Sequence, residues 1–105
     1  MANSRRDSAD SYTLKARKEG YPARSVYKLE EMQTQHRLIR PNDKVLDVGA
    51  APGSWTLYVT RKVLKAKGSI VAVDLNPLSL NPVPLNVTSI TGDAFSPEIR
   101  EQLTS

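Results

Sequence analysis

Hydrophobic residues recur at helical spacing in the first third of the chain and gather into short continuous runs after it. Residues 1–9 carry Arg5, Arg6 and Asp7 without an apolar period and predict a flexible tail. A short helix is expected over Ser11–Glu19, ended by Gly20, with Pro22 forcing the next segment open. Ser25 then caps "VYKLEEMQTQH", in which Val26, Leu29, Met32 and Gln33 form one stripe while Lys28, Glu30 and Glu31 fall elsewhere. "KVLDVG" follows the turn "RPND" as a short strand whose Val45, Leu46 and Val48 do not alternate cleanly, as when both faces are covered. The next helix places Pro52 near its first turn and Trp55, Tyr58, Val59 and Val63 at helical spacing, and runs to about Lys65. "SIVAVD" and "NVTSITGD" read as a second and a third strand, and "SPEIREQL" as a helix capped by Ser96 with Pro97 at its first position. Strand–helix–strand with a short linker implies a right-handed parallel crossover, the opening unit of a doubly wound α/β sheet.

Composition narrows the partners. With 39% hydrophobic residues and a mean hydropathy of -0.43 the chain has the make-up of an ordinary globular domain. Fifteen Lys and Arg against eleven acids give +4, which favours an anionic partner. The absence of cysteine excludes disulfides and Cys-ligated metal centres, and the single histidine, His36, reads as a surface residue, so no metal site is expected. The N-terminal residues lack the apolar core of a secretory signal and no run approaches membrane-spanning length, so a cytoplasmic protein without a membrane partner is expected.

The candidate chemistry lies in "VLDVGAAPGSWT", residues 45–56, a strand-to-helix turn. Ligands of such sheets bind at the carboxyl ends of the strands, which places Gly49–Trp55, Asp74 and Asp93 along one rim. Gly49 permits a sharp bend and Gly53 a close approach at the helix start. A phosphate-binding P-loop is excluded because no Lys follows Gly53. A dinucleotide fingerprint fits only in part: Ala51 stands at the second glycine, and Pro52 removes an N–H where a pyrophosphate would rest. The turn therefore suits a nucleoside ligand without phosphate. Asp74 is placed to accept both ribose hydroxyls, Asp93 an exocyclic amine, and the acids would tolerate a sulfonium. S-adenosyl-L-methionine meets these conditions. Asp47 is read as structural, bonding N–H groups of the turn, and Trp55 as either core or pocket wall.

The motifs "KARKEGYPARSVYKLEE", "VLDVGAAPGSW", "VAVDLNP" and "ITGD", in this order and spacing over residues 10 to 95, resemble the FtsJ-like ribosomal RNA 2'-O-methyltransferases. The resemblance implies a Rossmann-like class I S-adenosylmethionine-dependent methyltransferase fold, of which this chain would be the N-terminal half. Residues 1–9 would be the tail, 10–40 a basic helical arm that contacts RNA, and 41–105 the first half of the cofactor domain. Gly53, Trp55, Asp74 and Asp93 correspond to cofactor-contacting positions, with Gly49, Ala50, Pro52, Ser54, Leu75 and Ala94 completing the expected set. Lys28, on general grounds a solvated helix lysine, corresponds to the first lysine of the family's Lys-Asp-Lys-Glu catalytic set, which would help orient and deprotonate a ribose 2'-hydroxyl. Lys15, Arg17, Lys18 and Arg24, interleaved with Tyr12, Tyr21 and Tyr27, would meet RNA phosphates and bases, the RNA being ribosomal and within a subunit.

Two departures stand out. Ser54 occupies a position where many relatives carry glycine, and the family's catalytic Asp, second Lys and Glu belong to elements expected after residue 105. Without them the chain is expected to be inactive alone, with "KVLDV" as an unprotected edge through which it associates with itself. The competing readings are a non-catalytic RNA-binding module with a nucleotide-like pocket, and an NAD-using half-domain that Ala51 and Pro52 disfavour.

Overall fold

A computed structural model describes residues 4–104. Helix α1 spans Ser4–Glu19 and α2 Val26–His36; β1 (Lys44–Val48) leads into α3 (Ser54–Tyr58), which widens into a π-helical turn over Val59–Val63; β2 (Ser69–Asp74), β3 (Val87–Thr91) and α4 (Pro97–Thr104) complete the chain. The element order is the one expected, but two ends differ. Helix α1 begins at Ser4 rather than Ser11, because no Gly or Pro interrupts the chain before Gly20, so residues 4–9 are helical. Residues 1–3 of the expected tail lie outside the described residues. The third helix stops at Val63: Leu64 turns extended, and its N–H closes the π-turn on the Val59 carbonyl at 2.8 Å.

The sheet is parallel in the order β1-β2-β3, with Val48 beside Val73 and Asp74 beside Thr91. Being central, β2 buries Ile70, Ala72 and Val73 almost completely. By contrast β1 is an edge among the described residues, and its exposure alternates: Leu46 and Val48 on one face are each 51% exposed, so the expectation that both faces of "KVLDV" are covered does not hold. Ala16 and Tyr21 from the first arm, Val26 and Leu29 from α2, and Leu57, Tyr58 and Val59 share one core with Ile70 and Val87. Arm and sheet thus pack together, which fixes Lys28 and Arg24 relative to the strand tips. At the far end Ser96 caps α4, its Oγ accepting the Ile99 N–H at 3.3 Å, with Pro97 as the first helical residue.

Candidate functional site

The turn after β1 is held by its own backbone donors. The N–H groups of Gly49 and Ala50 both donate to the Val73 carbonyl, at 2.8 and 3.2 Å. That of Ala51 donates to Asp74 Oδ2 at 3.0 Å. Pro52 has none. No donor of residues 49–52 is left to receive a phosphate, which is the physical reason this turn departs from a pyrophosphate cradle. Pro52 lies in the turn and not in the helix: Gly53, at φ 117, is the N-cap, and the Ala51–Pro52 bond is cis. The Pro52 carbonyl accepts the Ser79 N–H at 2.8 Å, so the Asn- and Pro-rich loop after β2 folds back over the turn.

Of the two half-buried carboxylates, Asp74 and not Asp47 is the one that bonds an N–H of the turn. Asp47 accepts the Thr56 hydroxyl at 2.7 Å and bonds no turn N–H, whereas Asp74 bonds Ala51 through one oxygen and Asn76 N–H, at 2.8 Å, through the other. Each Asp74 oxygen keeps one lone pair for a ligand hydroxyl. Burial pushes the Asp47 carboxyl above its ordinary range, the Thr56 hydrogen bond opposes this, and the Asp74 charge adds to the rise. Two mutually repelling carboxylates around one turn favour a cationic guest.

A cavity of about 320 Å³ opens at the turn, walled by Asp47, Val48, Gly49, Ala50, Ala51, Pro52, Ser54, Trp55 and Ser25. Gly49 has φ 74 and empty space where a Cβ would stand. Of the expected cofactor set, the cavity gathers Gly49, Ala50, Pro52, Ser54 and Trp55. Gly53 is buried beneath Leu80, which would lie 3.0 Å from an added Cβ. Asp74 stands behind the turn through its bond to Ala51, and Leu75 is 72% exposed. Asp93 follows β3 on the same rim, where Gly92 N–H bonds the Asp74 carbonyl at 2.8 Å, and it accepts the Phe95 N–H at 2.9 Å; it and Ala94 do not wall the cavity.

Two hydrogen bonds tie the turn to the arm. The Trp55 indole N–H donates to the Ser25 carbonyl at 2.9 Å, and the buried Ser54 Oγ accepts the Ala23 N–H at 2.8 Å. Ser54 thus does something glycine cannot. Ser25 holds the N-cap position of α2 but is helical itself, at φ -57 and ψ -18, so its side chain makes no capping bond. Ser25 also walls a second groove, of about 390 Å³, with Tyr12, Arg24, Tyr27, Lys28 and Glu31. The two cavities therefore meet at one residue. Tyr12 and Tyr27 rings lie 5.8 Å apart, and the Lys15 ammonium stands 4.6 Å over Tyr27 while pairing with Glu19 at 3.9 Å. The Tyr27 hydroxyl is buried without a hydrogen-bond partner, and burial, with Glu19 beside it, pushes its pKa up to about 12. Tyr21 is 5% exposed and covered by Arg61, so it belongs to the core and offers no face to a base. Arg17 and Lys18 are exposed on α1 outside the groove. Ser25, expected as a helix cap, Asp47, expected to be structural, and Val48 and Ala51 wall the turn cavity outside the expected cofactor set, and Leu80, which had no expected role, packs on Gly53.

The FtsJ-like methyltransferase profile matches residues 21–105. A protein of Treponema denticola named ribosomal RNA large subunit methyltransferase E is 50% identical over 95 residues, which are 90% of this chain and 47% of that protein. One of the same name from Sorangium cellulosum is 48% identical over 87 residues, covering 83% and 40%. The chain spans less than half the length of these relatives. A crystal structure of a ribosomal RNA methyltransferase from Plasmodium falciparum superposes with a TM-score of 0.59 at 30% identity over 74% of this chain and 41% of that one.

Proposed function

The chain belongs to the FtsJ-like methyltransferase family, and from that premise we propose that it forms the cofactor-binding part of an S-adenosylmethionine-dependent ribosomal RNA 2'-O-methyltransferase. The observation that carries this reading is the junction at Ser25 of a turn cavity in which residues 49–52 keep no free N–H for a phosphate and a cationic groove holding Lys28. When bound, S-adenosylmethionine supplies an electrophilic methyl group on a sulfonium. Gly49 leaves room for the adenosine, Asp47 and Asp74 favour the positive charge, and the free lone pairs of Asp74 accept ribose hydroxyls. Lys28 orients the ribose 2'-oxygen of the RNA across Ser25, with Arg24 and Lys15 on its phosphates and Tyr12 beneath a base. A cytoplasmic setting, with a ribosomal subunit as the source of RNA, goes with this reading, as does association of two chains through the β1 edge.

Calorimetry on the chain with S-adenosylmethionine, S-adenosylhomocysteine and NAD tests it. Binding of the first two and not of NAD is expected. Binding of RNA with neither adenosyl ligand would make the chain a non-catalytic RNA module, and binding of NAD alone would overturn the cofactor assignment.

A further inference from the structure

The cavity of greatest volume among those described, about 770 Å³, is not at the turn. It opens between the end of α2, Pro41 and the π-helical turn, at the opposite end of β1 from the glycine turn. Its wall carries Arg37 from the C-cap of α2, Arg40 from the following loop and Lys62 from the π-turn, with His36 beside them and no carboxylate. None of these three cations is ion-paired among the described residues. A helix C-terminus by itself attracts cations, which accounts for Arg37 but not for Arg40 and Lys62, which come from other elements. Arg37 is also held at φ 47, the position where glycine is favoured by about 1 kcal/mol. A long cation at a site that disfavours any side chain points to a use for its charge.

We propose that this cavity is a second RNA-backbone site, taking phosphodiester groups of the strand whose acceptor nucleotide lies in the Lys28 groove; this rests on the RNA reading above. The two sites lie along one helix. Glu31 walls the groove and Thr34, three residues on and therefore on the same face, walls the cavity. The span between them is set by α2, whose 11 residues measure about 16 Å. Glu30 and Glu31 are the acids of α2 between the two cationic groups, so phosphate contacts fall in two clusters and not in one continuous strip. Phosphate contacts of this kind position a strand without reading its bases.

The test is fluorescence anisotropy on the whole chain with labelled oligouridylates, one a dinucleotide too short to span α2 and one an octanucleotide. The combined R37A, R40A and K62A variant is compared with wild type and with a combined R17A, K18A and R24A variant. Expected are weaker octanucleotide binding by tenfold or more, a log–log salt dependence shallower by about 2, unchanged dinucleotide binding, and unchanged S-adenosylhomocysteine binding as the check of folding. Equal loss for both lengths would show a mere net-charge effect and overturn the proposal, as would wild-type affinity for the octanucleotide. If the arm variant loses RNA and the cavity variant does not, this inference fails and the function stands. If wild type binds neither oligonucleotide, both fail.

Discussion

Gly49 and Gly53 flank the same turn, both at positive φ, yet the structure gives an added methyl group opposite consequences at the two. At Gly49 a Cβ meets nothing within 4 Å, so Gly49→Ala carries only the left-handed backbone cost, about 1 kcal/mol. At Gly53, φ 117 lies beyond the left-handed well and the Cβ would stand 3.0, 3.2 and 3.3 Å from Leu80 carbons. Backbone strain of about 1–3 kcal/mol adds there to overpacking of about 1–3 kcal/mol. In thermal unfolding, where about 1 kcal/mol shifts a domain of this size by roughly 4–8 °C, Gly49→Ala should be mildly and Gly53→Ala severely destabilised. Binding should rank the other way per unit of stability lost. The Gly49 methyl enters the space assigned to adenosine, so the folded Gly49→Ala protein should lose S-adenosylhomocysteine binding in calorimetry. Leu80→Ala should partly restore the stability of Gly53→Ala and do nothing for Gly49→Ala. A Gly49→Ala protein that binds with wild-type affinity would refute the placement of the ligand at the turn.

Asp47 has a raised carboxyl pKa, so its contribution to stability is fully present below the ordinary carboxylate range and is lost as pH rises through its folded-state value. Asp47→Asn should therefore match wild type in urea at acid pH and exceed it at neutral pH, while weakening binding of the cationic S-adenosylmethionine more than that of neutral-sulfur S-adenosylhomocysteine; equal weakening would remove the electrostatic argument. Trp55→Phe deletes the indole bond to Ser25 and should cost about 1 kcal/mol, with a larger loss of adenosyl-ligand affinity than of stability by calorimetry and urea unfolding. Arg37→Gly should raise the thermal midpoint by relieving φ 47 and lower octanucleotide affinity at the same time; a parallel change in both would contradict the assignment of its charge. Sedimentation of the chain over a range of concentrations, with Leu46→Lys as the comparison, should show association that the lysine abolishes.

Short apolar runs bounded by turn residues were enough to place the strands, "SIVAVD" among them, though not to show that β2 is central, and Ser96-Pro97 announced α4 by its chemistry. The start of α1 was not legible, because residues 4–9 carry no apolar period and only the lack of breakers favours a helix there. Within the site, glycine and proline spacing located the turn, but the partners of its carboxylates depend on which strand lies beside which. Asp74 reaches the Ala51 N–H only because β2 pairs with β1 in the register that sets Val73 beside Val48. Tyr21 and Tyr27 are both aromatic residues in a basic arm, and nothing local distinguishes the one buried under Arg61 from the one beside Lys15. Leu80 came from a loop whose composition signals only irregular chain, and its seat on Gly53 is a tertiary fact.

The Trp55–Ser25 bond lies at the border between two cavities, so a ligand that shifted it from one side would move a wall of the other. Thermodynamic reciprocity then requires that whatever factor an adenosyl ligand imposes on affinity for RNA, RNA imposes on affinity for that ligand. The indole would be the lever, and its removal would leave two independent equilibria where there had been one coupled scheme.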